Sequence, residues 1–319
     1  ILRAGWDDPA FEFVHVNDLT SSDMLAYLLH RDSVHGTWGE VAVEDGGLRV
    51  NGRSVRVTAE RDPAALPWAE AEVDVVLECT GVFTNAEKAA AHRTAGARKV
   101  VISAPGKGVD GTFVMGVNDG DYDPDSHHVV SNASCTTNCL APAAKVLHDL
   151  VGILGGHMTT VHSYTMDQNL LDGPHRKGAF TRARAAAQNI VPTTTGAAKA
   201  IGVVLPELDD KLTGMAIRVP TPDVSLVDLV VQVGRPTTVE EINAAFTAAA
   251  QGPLRGILEV TDEPLVSSDL IGNPHSSIVD LGSTQVMNGT LVKILTWYDN
   301  EWGFSNRMLS LAKLVGGVE

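Results

Sequence analysis

Hydrophobic positions along the chain change their period near residue 135, and the change separates two sets of predicted elements. Before it, short apolar runs alternate with helix-like stretches. Residues 11–16 read as a strand ending at Asn17-Asp18, and residues 21–30 as a helix closed by Asp32–Gly36. Alternating runs at 41–43, 48–50 and 55–58, broken by Asp45-Gly46-Gly47 and Asn51-Gly52, predict antiparallel hairpins. Residues 73–79 then read as a buried strand that takes Cys79 into the core, 86–96 as a helix and 99–103 as another strand. That βαβ rhythm predicts a doubly wound parallel sheet, whose ligands lie beyond the carboxyl ends of its strands. Thr80, Gly81 and Ser103 stand at such ends.

After residue 135 the runs lengthen. A helix of small and apolar residues over 138–151 is followed by alternating stretches at 157–164, 215–218, 224–233 and 291–298. Alternation of this kind predicts a mostly antiparallel sheet with helices on one face. One of them spans 239–250, with Thr238 and Glu241 in the spacing of a capping box. The fold class is α/β followed by α+β, with a first domain over 1–134 and a second over 135–302. The longest irregular stretch runs from about 165 to 190, and a last helix covers 305–314.

Composition narrows the setting. With 319 residues the chain can bury ordinary cores, and a net charge of −15 argues against nucleic acid or an anionic membrane as its main partner. Apolar stretches fall short of the roughly 20 residues that span a bilayer, so a reducing, soluble compartment is expected. Three cysteines, Cys79, Cys135 and Cys139, are too few for a disulfide framework. Cys135 and Cys139 have no second Cys/His pair at ligand spacing, so no metal site is expected.

Candidate chemistry concentrates in Ser131-Asn132-Ala133-Ser134-Cys135-Thr136-Thr137-Asn138-Cys139, which joins a strand at Val129-Val130 to the helix. A cysteine at a helix N-terminus meets unpaired N–H groups and the positive end of the dipole, which favour its thiolate. Cys135 is then either a nucleophile or simply a small buried side chain. A nucleophile needs a base, and His162, held on the predicted strand after Gly155-Gly156, supplies one.

These residues carry a resemblance. The Ser-Cys-Thr-Thr-Asn-Cys run, His162, the stretches 192–199 (Pro-Thr-Thr-Thr-Gly-Ala-Ala-Lys) and 218–222 (Arg-Val-Pro-Thr-Pro), and 297–303 (Trp-Tyr-Asp-Asn-Glu-Trp-Gly) occur in one order. Together they resemble the phosphorylating glyceraldehyde-3-phosphate dehydrogenase family over nearly the whole chain.

The resemblance implies a Rossmann-type cofactor domain completed by the C-terminal residues 303–319, and a catalytic domain whose S-shaped loop (about 165–190) packs across a subunit interface in a cytoplasmic homotetramer. It implies NAD as cofactor, with Asp18 on the ribose hydroxyls, Arg61, Thr80, Gly81 and Ser103 lining the site, and Asn300 and Phe304 at the nicotinamide. In that family a strand and a G-x-G-x-x-G turn precede the first helix. A chain opening in mid-helix at Ile1 is expected to lack them. The implied reaction is NAD-dependent oxidative phosphorylation of D-glyceraldehyde 3-phosphate to 1,3-bisphosphoglycerate, a glycolytic step, through a thioester on Cys135. The implied substrate phosphate pocket is Thr165, Asp167 and Arg218, and the inorganic phosphate pocket is Ser134, Thr136, Thr195 and Gly196.

Two departures stand in the S-shaped loop. Met166 replaces a common asparagine, and Thr181 stands where a phosphate-pocket arginine is common, so that Arg182, Arg176 or Lys177 would have to supply the charge. A hydrolytic enzyme similar to erythrose-4-phosphate dehydrogenase, and a non-catalytic oligomeric binding protein, are the competing readings.

Overall fold

The computed structural model describes residues 1–318, and the chain divides into two compact units. The first comprises Ile1–Phe113, Tyr122–Asn132 and the chain from Ser305; the second comprises Val114–Asp121 and Ala133–Phe304.

In the first unit, α1 (Leu2–Gly5) leads to β1 (His15–Asn17), and Ser21 caps α2 (Ser22–His30) by accepting the Met24 N–H. The hairpin strands β2 (Val41–Glu44), β3 (Gly47–Val50) and β4 (Arg53–Thr58) are antiparallel, and β4 then pairs in parallel with β1. A second sheet consists of β5 (Val75–Glu78), β6 (Lys99–Ile102), β7 (Gly111–Thr112) and β8 (Val129–Ser131) in the order β5-β6-β8-β7, all parallel. Every residue of β6 is buried, as expected of a central strand covered on both faces. The crossover between β5 and β6 is two short helices, α3 (Ala86–Ala89) and α4 (Ala91–Thr94), rather than one continuous element.

Cys79 is not a core residue. The ladder between β5 and β6 ends at Glu78, and the next residue turns outward, leaving Cys79 exposed.

The second unit is organised around α5 (Cys135–Val151). Its seven-stranded sheet contains β9 (Ile153–Ser163) and β10 (Val191–Thr194), followed after α6 (Ala197–Val204) by β11 (Leu212–Val219) and β12 (Ser225–Val233). After α7 (Val239–Gln251) come β13 (Leu258–Thr261), β14 (Ser277–Met287) and β15 (Leu291–Tyr298). The spatial order is β10-β11-β9-β12-β15-β14-β13. Only the β9–β11 and β13–β14 pairs are parallel.

Burial alternates strictly along β15, with Val292, Ile294, Thr296 and Tyr298 facing inward. That face joins Leu140 and Leu147 of α5, Ile201 of α6 and Phe246 of α7 in one core. The Thr238 hydroxyl accepts the Glu241 N–H, but the Glu241 carboxylate turns to Arg235 and Thr237, so the capping box is only half made. Finally α8 (Trp302–Gly316) carries the chain back to the first unit, where Lys313 pairs with Asp8 at 2.6 Å.

Candidate active site

The turn before α5 sets the geometry. Ala133 holds a left-handed φ of 56°, a conformation that strains a residue with a Cβ and is commonest at functional turns. Ser134 then caps the helix: its hydroxyl accepts the Thr137 N–H at 3.1 Å, and its carbonyl accepts the Asn138 side chain at 3.0 Å. With the cap at Ser134, the helix starts at Cys135 itself, earlier than the apolar pattern suggests. The N–H groups of Cys135 and Thr136, at the open end of the helix, favour negative charge on the Cys135 sulfur.

Opposite the thiol, His162 lies near the end of β9 and is buried. Its Nε2 is 3.5 Å from Cys135 Sγ, and its Nδ1 lies 2.7 Å from the carbonyl oxygen of Ser163. A carbonyl only accepts, so Nδ1 carries the proton and neutral His162 presents a bare Nε2 to the sulfur. Burial and the nearby Arg218 charge hold the imidazole down at about 3. Burial pushes the Cys135 thiol up, against the pull of Arg218, the Thr136 hydroxyl and the helix amides. The resting pair is therefore a thiol beside a neutral imidazole, arranged for proton transfer when charge develops on sulfur.

Tyr298 closes this group from behind. Its hydroxyl lies 2.8 Å from Thr136 Oγ1 and 2.9 Å from Thr160 Oγ1, and its ring meets His162 edge-on. The Thr136 hydroxyl is thus shared between Tyr298 and the thiol.

The candidate anion-binding residues are sorted by the sheet. Arg218 is the direct neighbour of His162 in the β9–β11 ladder, and its Nη1 donates to Ser163 O at 2.9 Å and to Thr165 Oγ1 at 3.1 Å. Asp167 is not beside it in the same way. Asp167 is ion-paired with Arg182, whose Nε also donates to Thr193 Oγ1 at 2.9 Å and whose Nη2 donates to Thr194 O at 3.2 Å. Thr195 and Gly196 follow immediately at the start of α6, where the Thr195 hydroxyl accepts the Ala197 N–H. Thr181, Arg176 and Lys177 are all exposed.

In the first unit, Asp18 follows β1 as an exposed carboxylate that accepts only the Thr20 N–H among the hydrogen bonds of its oxygens. Arg61 is exposed beyond β4. Beyond β5, the Glu78 carboxylate holds the N–H and hydroxyl of Thr80, and Gly81 adopts a φ of 68° with open space where a side chain would stand. Ser103 follows β6, its N–H bonded to Glu78 O. A carboxylate with spare acceptor capacity and small polar residues, all at the carboxyl ends of parallel strands, fit a dinucleotide whose ribose carries free hydroxyls.

In the second unit, Asn300 is 8% exposed and its Oδ1 accepts the Ser225 hydroxyl at 2.6 Å; Phe304 is half-buried. Ser163, Ser225 and Tyr298 were not singled out by the sequence, because a serine or tyrosine inside an alternating strand is indistinguishable from any other inward residue.

Comparison with known proteins agrees across the chain. A family model described as the NAD binding domain of glyceraldehyde 3-phosphate dehydrogenase matches residues 1–86, and its C-terminal domain model matches residues 134–300. Glyceraldehyde-3-phosphate dehydrogenase of Geobacillus stearothermophilus is 58% identical over 99% of this chain and 94% of its own length. That of Kitasatospora aureofaciens is 59% identical over 99% and 95%. Glyceraldehyde-3-phosphate dehydrogenase 1 of Bacillus subtilis is 57% identical over 99% and 94%.

Proposed function

Because the chain belongs to the glyceraldehyde-3-phosphate dehydrogenase family, an oxidoreductase family with an NAD-binding domain, we propose that it oxidises D-glyceraldehyde 3-phosphate to 1,3-bisphosphoglycerate with NAD and inorganic phosphate. The observation that carries this reading is the 3.5 Å approach of Cys135 Sγ to the bare Nε2 of His162.

Cys135 attacks the aldehyde carbon while His162 Nε2 accepts its proton. The developing oxyanion lies against the backbone N–H groups at the start of α5. His162 returns that proton to the oxyanion, which completes the thiohemiacetal, and its freed Nε2 takes the hydroxyl proton back as hydride leaves the carbon. Bound NAD supplies the acceptor for that hydride. The resulting thioester is cleaved by phosphate, which releases the acyl phosphate, and His162 returns its proton to the departing sulfur.

Arg218, with Thr165, serves the substrate's own phosphate, since a guanidinium at a strand end offers charge-assisted donors. For the attacking phosphate, Ser134, Thr136, Thr195 and Gly196 provide neutral donors, and Arg182 provides the charge that Thr181 lacks. Asp18, Arg61, Thr80, Gly81 and Ser103 hold the adenosine side of NAD, and a carboxylate at Asp18 favours it over a 2′-phosphorylated cofactor. Asn300 binds the nicotinamide carboxamide and Phe304 packs at the ring. The exposed apolar side chains Met166, Leu170, Leu171, Phe180 and Ile190 along the S-shaped loop support a homotetramer. Among the described residues no helix is long and apolar enough to cross a membrane, and the cytoplasm is the proposed compartment.

The test is NADH formation from the aldehyde phosphate with and without inorganic phosphate. Rapid turnover only with phosphate supports the reading, and turnover indifferent to phosphate would replace it with hydrolytic oxidation. Cys135→Ser should abolish either reaction.

A further inference from the structure

Ser163 links the parts of the site through its backbone. It is fully buried; its carbonyl accepts from His162 Nδ1 and Arg218 Nη1, and its N–H donates to Ser225 Oγ at 3.1 Å. Its own hydroxyl donates to Val224 O at 2.8 Å. Val224 holds a φ of 64°, a strained value for a β-branched residue, and this places Ser225 at the head of β12. From there the Ser225 hydroxyl reaches Asn300 Oδ1 at 2.6 Å, across 75 residues of sequence.

Counting protons fixes which end of the Asn300 amide faces the serine. Ser225 Oγ accepts from the Ser163 N–H, so its single proton must find an acceptor. The Asn300 oxygen is that acceptor, and 2.6 Å is an O–H···O separation, short for a bond from an amide nitrogen. Turning the amide around would leave the buried serine proton without a partner. The oxygen of Asn300 is thus held on the serine side, and the end of the amide turned away from the serine is its NH2.

We propose that Ser225 is a positioning residue that locks Asn300 as a pure donor, so that the site recognises the carbonyl oxygen of the nicotinamide carboxamide and is indifferent to its amino group. The proposal rests on the reading of Asn300 as the partner of that carboxamide. Its consequence is a specificity. An NAD analogue that keeps the oxygen but replaces the amino group by methyl, the 3-acetylpyridine analogue, should bind nearly as well as NAD. Without the serine hydroxyl the amide is free to turn and present its oxygen, which suits the NH2 of NAD and not the methyl of the analogue.

The experiment is titration calorimetry of NAD and of the 3-acetylpyridine analogue against the full-length protein, with no aldehyde present. Wild type should bind the two within a few-fold. Ser225→Ala should weaken the analogue by on the order of tenfold relative to NAD, as expected for one mispaired buried polar group, and Ser225→Thr should restore the wild-type ratio. Asn300→Ala should weaken both ligands. If Asn300→Ala weakens both while Ser225→Ala leaves the ratio unchanged, the positioning role is wrong and the reading of Asn300 stands. Should Asn300→Ala bind both like wild type, the reading of Asn300 fails and takes the proposal with it. Ser225→Cys, of similar size but a weak donor, carries the same comparison if the alanine variant does not fold.

Discussion

Arg182 is ion-paired with Asp167, fifteen residues earlier in the S-shaped loop. The same guanidinium donates to Thr193 and Thr194 on β10, so one side chain ties the loop to the strand that leads into Thr195-Gly196. Asp167 therefore belongs with Arg182, while Arg218 keeps Thr165 and the Ser163 carbonyl. A charge absent at Thr181 is present one residue later, fixed by its own carboxylate.

Arg182→Ala should raise the KM for phosphate by on the order of tenfold or more, since the remaining donors there are neutral, with a smaller change in the aldehyde KM. Steady-state kinetics with each substrate varied in turn checks this. Equal rises in both KM values would mean that Arg182 only braces the loop. In the complementary variant Thr181→Arg, a second guanidinium should lower the phosphate KM.

His162→Asn should reduce turnover by roughly 10²–10⁴-fold, the loss typical of a general base. It should also raise the pKa of Cys135, because Nε2 is the acceptor that stabilises the thiolate once the proton moves. Alkylation rate against pH, measured in both proteins, reports the shift, and an unchanged profile would separate His162 from the thiol.

The three thiols should differ in kind. Cys139 is completely buried against Thr296, and burial pushes it up to about 12, so native protein should not be labelled there. Cys79 is an exposed residue, but burial around its sulfur holds the thiol above the ordinary range, so it should react more slowly than a free thiol and be indifferent to substrate. Cys135 should be labelled by iodoacetamide at near-neutral pH and protected by the aldehyde phosphate. Peptide mapping after a short exposure decides, and protection at Cys79 instead of Cys135 would overturn the nucleophile assignment.

Acid should destabilise the protein partly through His162. Unfolded, the imidazole takes a proton near 6.5; folded, it does so only at about 3. Between those values the unfolded chain binds more protons, so the contribution is complete above 6.5 and is lost as pH falls toward 3. His162→Asn should therefore lose less stability than wild type between about pH 7 and pH 4. Urea midpoints of both proteins across that range make the comparison, and parallel losses would show that the histidine is not held neutral by the fold.

Much of this protein is legible in its residue pattern. Period-two runs mark β9, β12 and β15, because one face of each strand must be apolar to cover α5, α6 and α7. The proposed catalytic pair is visible too: a cysteine among capping residues and a histidine inside an alternating run advertise a helix start and a rigid strand. The same kind of pattern misleads at Cys79, since the apolar run does not reveal the residue at which its ladder stops.

What the pattern lacks is register. Alternation tells which side chains share a face of one strand and nothing about which residue of the next strand stands opposite. Only the assembled seven-stranded sheet places His162 beside Arg218 and Ser225 opposite Tyr298. That choice is made by the packing of all the strands against one core, so local sequence could name a candidate nucleophile and a candidate base, while their neighbours, Ser163, Ser225, Tyr298 and Arg182, were decided by contacts that span up to 162 residues.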